Sequence, residues 1–231
     1  MLELFPEGFE EVEGVDGVEL VAYTDSSGEE RLWHSFGGVR GQDVAADWRD
    51  RWKSFHRPVR IGPLWIGPPW EDQPADATPI VIDPGRAFGT GAHPTTQLCI
   101  GLLLELEQSS AVDLGCGSGV LAIVAAKLGF APVIAVDSDA NAVEATRANA
   151  AANGVDIDVH QTDVLADPLP AGDVAIANIT WSAVQALVPR VQARLLVTSG
   201  YLVTDDQSLP SFSHVRRVTR DGWAADLHRA D

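Results

Sequence analysis

Two cysteines, one methionine and two tyrosines are all that the 231 residues contain of those types. Cys99 and Cys116 are too few for a disulfide scaffold or a four-cysteine zinc site, and the six histidines show no metal-ligand spacing, so no metal is expected. Basic residues are scarce as well: 16 Lys and Arg stand against 33 Asp and Glu, a formal charge of -17. A field of that sign repels phosphate backbones, which argues against direct nucleic-acid binding, and it attracts a basic partner. Long apolar runs are also missing, because Lys127 and Pro132 interrupt the best one short of the ~20 residues needed to span a bilayer. The opening Met-Leu-Glu-Leu-Phe-Pro-Glu is acidic where a secretory signal needs positive charge. A cytoplasmic protein without membrane attachment is the expectation.

What is present suffices for a core. Apolar residues make up 45% of the chain, with 21 Gly and 14 Pro dispersed along it, and the length suits one large domain plus a small appendage. Charge is unevenly placed: residues 1–30 hold ten acids and no Lys or Arg, whereas 40–60 hold six basic and three acidic residues. The first forty residues read as a small β-containing unit. Val18 to Tyr23 alternates in part, Asp25-Ser-Ser-Gly28 is turn chemistry, and Arg31-Leu-Trp33 is placed to pair back as a hairpin. Asp43 suits a helix N-cap, with Trp48 and Trp52 on one helix face. From Pro58 to Pro79 the recurrent Pro and Gly mark a short-strand connector. Five of the seven tryptophans fall between Trp33 and Trp70 and are expected to pack the small unit against the larger one; an exposed aromatic docking surface is the other reading.

Beyond Pro79, strands and helices alternate. Short apolar runs at Ala111–Asp113, Val133–Asp137, Ile157–Gln161 and Val174–Asn178 read as strands, and a fifth is expected at Tyr201–Thr204. Helices are expected over Val120–Leu128, Ala140–Asn153 and Trp181–Arg194. This spacing predicts an α/β fold, a mostly parallel sheet with helices on both faces. Val215–Arg220 and Trp223–His228 bracket Asp221-Gly222, a hairpin signal that predicts an antiparallel final pair.

Ligands of open parallel sheets bind beyond the carboxyl ends of the strands, where four groups of this sequence fall. Asp113-Leu-Gly-Cys-Gly-Ser-Gly119 is a glycine-rich strand-to-helix turn whose Gly115 and Gly117 admit a ligand close to the backbone. Asp137, 22 residues after Gly115, ends the second strand, where a carboxylate can accept from both ribose hydroxyls. Asp163 follows the third strand and Asn178 ends the fourth. Each alone is an ordinary turn or cap residue; together, at successive strand ends, they point to a nucleoside ligand. The glycine spacing departs from the dinucleotide pattern, and Asp113 would repel a pyrophosphate while accepting from an ammonium group. Ribose, adenine and an amino-acid tail describe S-adenosylmethionine (AdoMet).

Asp113 to Gly119 resembles motif I of the class I, seven-stranded methyltransferases. Ile82-Asp-Pro-Gly-Arg-Ala-Phe-Gly-Thr-Gly-Ala-His-Pro-Thr-Thr96 is more particular and resembles the signature of the ribosomal protein L11 methyltransferase family, PrmA. The likeness runs from about Pro79 to Thr204 and includes the Trp48–Trp52 and Trp65–Asp72 stretches. It implies a class I Rossmann-like methyltransferase domain over 79–231, a connector over 58–78, and a substrate-recognition unit with linker helix over 1–57. That unit is shorter than the ferredoxin-like recognition domain of the family.

The resemblance further implies that Thr96, Gly115, Asp137 and Asn178 contact AdoMet and that Asp163 faces the adenine amino group. Phe88-Gly-Thr90-Gly91 would close over the cofactor. Asn178 and Ile179 stand where amino-group methyltransferases hold the target amine, so both are the candidate catalytic residues. The implied reaction is methyl transfer to lysine or α-amino nitrogen of a basic protein, with ribosomal protein L11 the leading substrate. Another protein, a small amine or a non-catalytic AdoMet-binding module are the alternatives; a nicotinamide dehydrogenase is the rival at the level of fold. His93 is a weak base candidate and is expected to structure its loop, and Cys116 is expected to be incidental.

Overall fold

A computed structural model describes residues 10–14, 17–21, 33, 35, 56–84 and 89–231. The chain divides into two compact units, Met1–Arg51 and Trp52–Asp231. In the first, β1 (Glu10–Gly14) pairs antiparallel with β2 (Gly17–Val21). β2 pairs with the segment before it, across a two-residue connection; of the expected return strand at Arg31–Trp33, Trp33 is helical and Arg31 and Leu32 lie outside the described residues. The expected turn at Asp25–Gly28 and the helix carrying Asp43, Trp48 and Trp52 lie outside the described residues.

The second unit opens with a three-stranded sheet of β3 (Val59–Ile61), β4 (Leu64–Gly67) and β5 (Thr78–Val81), antiparallel then parallel. The segment read as a connector therefore supplies core. Leu64 and Ile66 join Ile80 and Ile82 in one apolar cluster with Cys99, Ile100 and Leu103. Trp65 is buried in this sheet, and Trp70 meets the His56 ring edge-on at 6.4 Å.

The main sheet has seven strands in the order β11-β12-β10-β9-β6-β7-β8. β6 (Ala111–Leu114), β7 (Val133–Asp137), β8 (Asp158–Gln161) and β9 (Val174–Asn178) pair in parallel, and β10 (Leu195–Leu202) extends the parallel set beside β9. β11 (Phe212–Arg220) and β12 (Trp223–Ala230) form the expected hairpin, with β12 antiparallel to β10. Helices α1 (Pro94–Leu103), α2 (Val120–Lys127), α3 (Ala140–Asn153) and α4 (Trp181–Leu187) connect the strands.

Alternation within the strands divides the core between the two faces of the sheet. Ala111, Val174, Ile176 and Val197 face one cluster; Val112, Ala175, Ala177 and Leu196 face the other. Central parallel strands covered on both faces have to be apolar throughout, which is why β6 reads as an unbroken short apolar run around a single Asp. Two boundaries differ from expectation. The helix expected to reach Arg194 stops at Leu187 and tightens into a 3-10 turn, Val188–Arg190, because Pro189 cannot donate to a continuing α-helix. The fifth strand accordingly starts at Leu195, on the apolar Leu195-Leu-Val run, rather than at Tyr201. Helix α1, a helix that periodicity did not single out, begins with Pro94 at its first turn under a His93 cap.

Candidate active site

Strand order reverses between β6 and β9, and such a reversal opens a crevice beyond the carboxyl ends of the strands. Asp113, Asp137 and Asn178 stand at or near the ends of β6, β7 and β9, and Asp163 follows β8.

Asp113 is 1% exposed, and its Oδ2 accepts the Ala122 N–H at 3.1 Å. Helix α2 starts at Val120, and the N-cap residue before it, Gly119, has no side chain with which to cap it. Asp113 supplies that cap from the preceding strand, satisfying the N–H of the third helical residue. Burial pushes its pKa up to about 7, against the pull of the Ala122 hydrogen bond and with the nearby charge of Asp137 adding to the rise.

The glycine turn folds back on β7. Gly115 and Cys116 donate their N–H groups to the Val136 carbonyl at 2.8 and 3.0 Å. Gly117 donates to Asp137 Oδ2 at 2.9 Å, and Asp139 donates to Asp137 Oδ1 at 3.0 Å. Each carboxylate oxygen retains acceptor capacity toward the crevice. Carbonyls of the turn are taken by α3: Thr146 Oγ1 donates to Gly117 at 2.9 Å and Asn149 Nδ2 to Ser118 at 2.9 Å. Cys116 lies 3.3 Å from the Thr146 hydroxyl, and burial pushes its thiol up to about 12, so it is inert.

Thr96, 3% exposed in the first turn of α1, accepts from Asn178 Nδ2 at 3.3 Å. That bond uses the donor end of the Asn178 amide and leaves Oδ1 as its acceptor end. His93 caps α1 by accepting the Thr95 N–H at 3.3 Å, and its ring meets Trp223 edge-on at 4.8 Å, which gives it the loop-structuring part. Thr90 is half-buried and Gly91 buried, and the Ser118 hydroxyl donates to the Gly89 carbonyl, tying this loop to the glycine turn. Phe88 lies outside the described residues.

Hydrogen bonds thus join Gly117 to Asp137 and Thr96 to Asn178, while Gly115 is held on β7 through Val136 and Asp113 on α2 through Ala122. Asp163 is exposed and engages its own turn: Oδ1 accepts from Leu165 at 2.8 Å, and its N–H donates to Asp167 Oδ2 at 2.9 Å. Two asparagines of α3 escaped sequence reasoning. Asn149 Oδ1 accepts the Asp83 N–H at 3.1 Å, and Asn153 pairs with Val81 through both N–H and carbonyl at 2.8 and 2.7 Å. Their signal was available: two poor helix formers four residues apart in an alanine-rich helix. Among the described residues, no cluster of His, Cys, Asp or Glu is arranged to hold a metal, and no helix is long and apolar enough to cross a membrane.

A family model described as ribosomal protein L11 methyltransferase (PrmA) matches residues 20–225. The chain belongs to that family. It is 44% identical over 192 residues to the ribosomal protein L11 methyltransferase of Photorhabdus laumondii, covering 78% of this chain and 63% of the relative. The Symbiobacterium thermophilum relative is 41% identical over 203 residues, 78% of this chain and 65% of its own length. This L11 methyltransferase-family chain therefore spans about three fifths to two thirds of the curated relatives it matches. The solved ribosomal protein L11 methylase of Lactobacillus delbrueckii subsp. bulgaricus superposes with a TM-score of 0.67 at 31% identity, covering 76% of this chain and 100% of that one. The fold is that of a class I methyltransferase.

Membership of the PrmA family implies AdoMet as methyl donor. The side chains at the crevice suit such a ligand. They present acceptors with capacity left (Asp137, the Asn178 Oδ1 and the second Asp163 oxygen), which suits hydroxyl and amino donors rather than phosphates.

Proposed function

We propose that this chain transfers a methyl group from AdoMet to a lysine or α-amino nitrogen of a basic ribosomal protein, L11 foremost. Bound AdoMet supplies an electrophilic methyl group on a sulfonium. The chain's own part is to bind, orient and desolvate. Asp137 receives the ribose hydroxyls, the side-chain-free backbone of Gly115 and Gly117 lets the ligand approach, and Asp163 receives the adenine amino group. Thr96 orients Asn178, and the Phe88-Gly-Thr90-Gly91 segment covers the cofactor. Asp113 acts indirectly by capping α2 and holding the turn in shape, with the ligand ammonium as a second claimant on its remaining oxygen.

Asn178 Oδ1 and the Ile179 carbonyl accept N–H bonds from the target amine, aim its lone pair and favour its neutral form by partial desolvation. The observation that carries this reading is the Thr96–Asn178 hydrogen bond, because it commits the amide nitrogen elsewhere and leaves an acceptor at the end of β9. Residues 1–57, acidic at their start, form the substrate-recognition unit, and 79–231 the methyltransferase domain. The net charge of -17 suits a basic protein partner and disfavours nucleic acid; the setting is cytoplasmic.

The test is transfer of labelled methyl from AdoMet into ribosomal proteins from a methylation-deficient extract, with mass spectrometry to place the label. Label on L11 lysines or its α-amine is expected. Label on other proteins alone moves the substrate. AdoMet binding without any transfer overturns the enzymatic reading in favour of a binding module.

A further inference from the structure

The parallel ladder between β9 and β10 runs from Leu195↔Val174 to Ser199↔Asn178 and ends there. On its other side, β10 pairs with β12 at Ser199↔Ala225 and Tyr201↔Ala224, with a bulge between them. Gly200 is the residue left over on both sides. It adopts φ +101°, a left-handed backbone that L side chains rarely take. A Cβ built at Gly200 would stand 2.1 Å from the Ile179 carbonyl oxygen, 2.7 Å from its carbonyl carbon and 3.0 Å from its nitrogen. The peptide of Ile179 therefore occupies the space where any other residue at 200 would place its side chain.

The Ile179 side chain is seated in the same manner on a second glycine. A Cβ built at Gly115 would lie 2.7 Å from Ile179 Cγ2. One residue is thus held from two directions, its backbone on β10 and its side chain on the glycine turn of β6.

We propose that Gly200 is a positioning residue for methyl transfer: its missing side chain seats the Ile179 carbonyl, and together with Gly115 it indexes the amine-holding turn to the cofactor turn. The inference rests on the acceptor role proposed above for Asn178 and Ile179. Gly200 touches neither cofactor nor amine; it acts through Ile179. Because the amine must meet the methyl in line, a displaced carbonyl changes turnover and the number of methyl groups added, while the ribose contacts at Asp137 stay in place.

Gly200→Ala tests this against Gly222→Ala. Gly222 shares the left-handed backbone at φ +81° but a Cβ there meets nothing within 4 Å, so it carries the strain without the collision. Both variants are assayed for AdoMet affinity by calorimetry, for steady-state methylation of L11, and for the mass distribution of mono-, di- and trimethylated product. In Gly200→Ala, kcat is expected to fall by about tenfold to a hundredfold, as misplacement of about 1 Å would cost. Product should shift to lower methylation, and AdoMet affinity should stay within about twofold of wild type, a change of under 1 kcal/mol. Gly222→Ala should keep wild-type turnover and product distribution. Wild-type turnover in Gly200→Ala, an equal loss in Gly222→Ala, or a fall in AdoMet affinity that matches the fall in turnover would overturn the proposal. If Gly200→Ala loses its cooperative melt, Ile179→Ala carries the test by emptying the seat on Gly115: lower kcat and a shifted product distribution support the proposal, and wild-type values overturn it. A wild-type chain that binds AdoMet and methylates no amine removes the acceptor reading itself, an outcome distinct from these.

Discussion

The Asp113 carboxylate accepts the backbone N–H of Ala122 at 3.1 Å, so the strand before the glycine turn caps the helix after it. The same carboxyl is nearly inaccessible to water and titrates at about 7, chiefly because of burial. Its folded pKa lies above its unfolded value of 3.8, so the folded state binds this proton more tightly. The resulting stabilisation is fully present below pH 3.8 and is lost as pH rises through about 7.

Asp113→Asn keeps an oxygen acceptor for Ala122 and removes the charge. Relative to wild type, this variant should become progressively more stable as pH is raised from 4 to 7, by about 4 kcal/mol over the window. Urea unfolding at several pH values measures the difference. Parallel curves for the two proteins would mean that Asp113 is ionised without penalty. Asp113→Ala shares that pH dependence but lacks the acceptor, so it should lie about 1–3 kcal/mol below Asp113→Asn at every pH.

Thr96 and Asn178 should separate binding from turnover. Thr96→Val removes the oxygen that holds the Asn178 amide, leaving the amide free to rotate and present its NH2 to the incoming amine. The expected result is a fall in kcat of about tenfold, close to the cost of one lost hydrogen bond, with AdoMet affinity changed less. Asn178→Ala should depress turnover further, while Asp137→Ala should weaken AdoMet binding by about 1–3 kcal/mol. Single-turnover rates and calorimetry on the three variants sort the roles; equal losses of rate and affinity in Asn178→Ala would leave it a cofactor contact only.

Most of the sheet was legible because parallel strands buried on both faces must be short apolar runs, and Ala111–Leu114 and Val174–Asn178 are such runs. The terminal hairpin was legible from Asp221-Gly222, both of which adopt positive φ, at 51° and 81°. Local pattern failed where distant packing decides. Helix α1 has a weakly polarised sequence, and six of its residues are buried because β10 and β12 lie against it. Asp113 was legible as a site residue, but its role as a helix cap depends on a neighbour nine residues on. Asn149 and Asn153 reach partners 66 and 72 residues away, which no window of sequence contains.

At the far side of β10, His228 is fully buried, and burial holds its pKa down to about 4. Its unfolded value is 6.5, so between pH 6.5 and 4 the unfolded chain binds the additional proton and stability falls as pH drops, by about 3 kcal/mol in total. Asp226 beside it would be raised by burial. Hydrogen bonds from Arg217, Tyr201 and His214 outweigh that and bring it below its usual value, so its contribution persists above pH 3.8 and is lost only at lower pH. His228→Gln should remove this contribution, so that its stability relative to wild type rises as pH falls from 6.5 to 4. The Asp113 dependence runs with opposite sign over an overlapping window, so the informative quantity is the difference between wild type and each variant. A His228→Gln difference that does not vary with pH would show that the imidazole is protonated in the folded chain.

The asparagine pair of α3 joins three segments: Asn149 bridges the Asp83 N–H to the Ser118 carbonyl, and Asn153 closes on Val81 and on the Asn149 carbonyl. Ser118 in turn donates to the Gly89 carbonyl, so the loop after β5 and the cofactor turn share one bracket. Asn149→Ala would strand a backbone donor and a backbone acceptor, at a cost of about 2–4 kcal/mol. Asn141→Ala on the same helix removes an exposed contact to Asp139 and should cost about 0.5 kcal/mol or less. The bracket has a second consequence, since loosening the glycine turn lowers its preorganisation for the ligand. AdoMet affinity should therefore fall in Asn149→Ala and remain unchanged in Asn141→Ala, even where both proteins are fully folded at the assay temperature. Thermal melts with and without AdoMet read both effects together. Equal melting temperatures for the two variants would remove the bracket, whereas a lower melting temperature with undiminished AdoMet stabilisation would confine it to structure and leave the cofactor turn independent of α3.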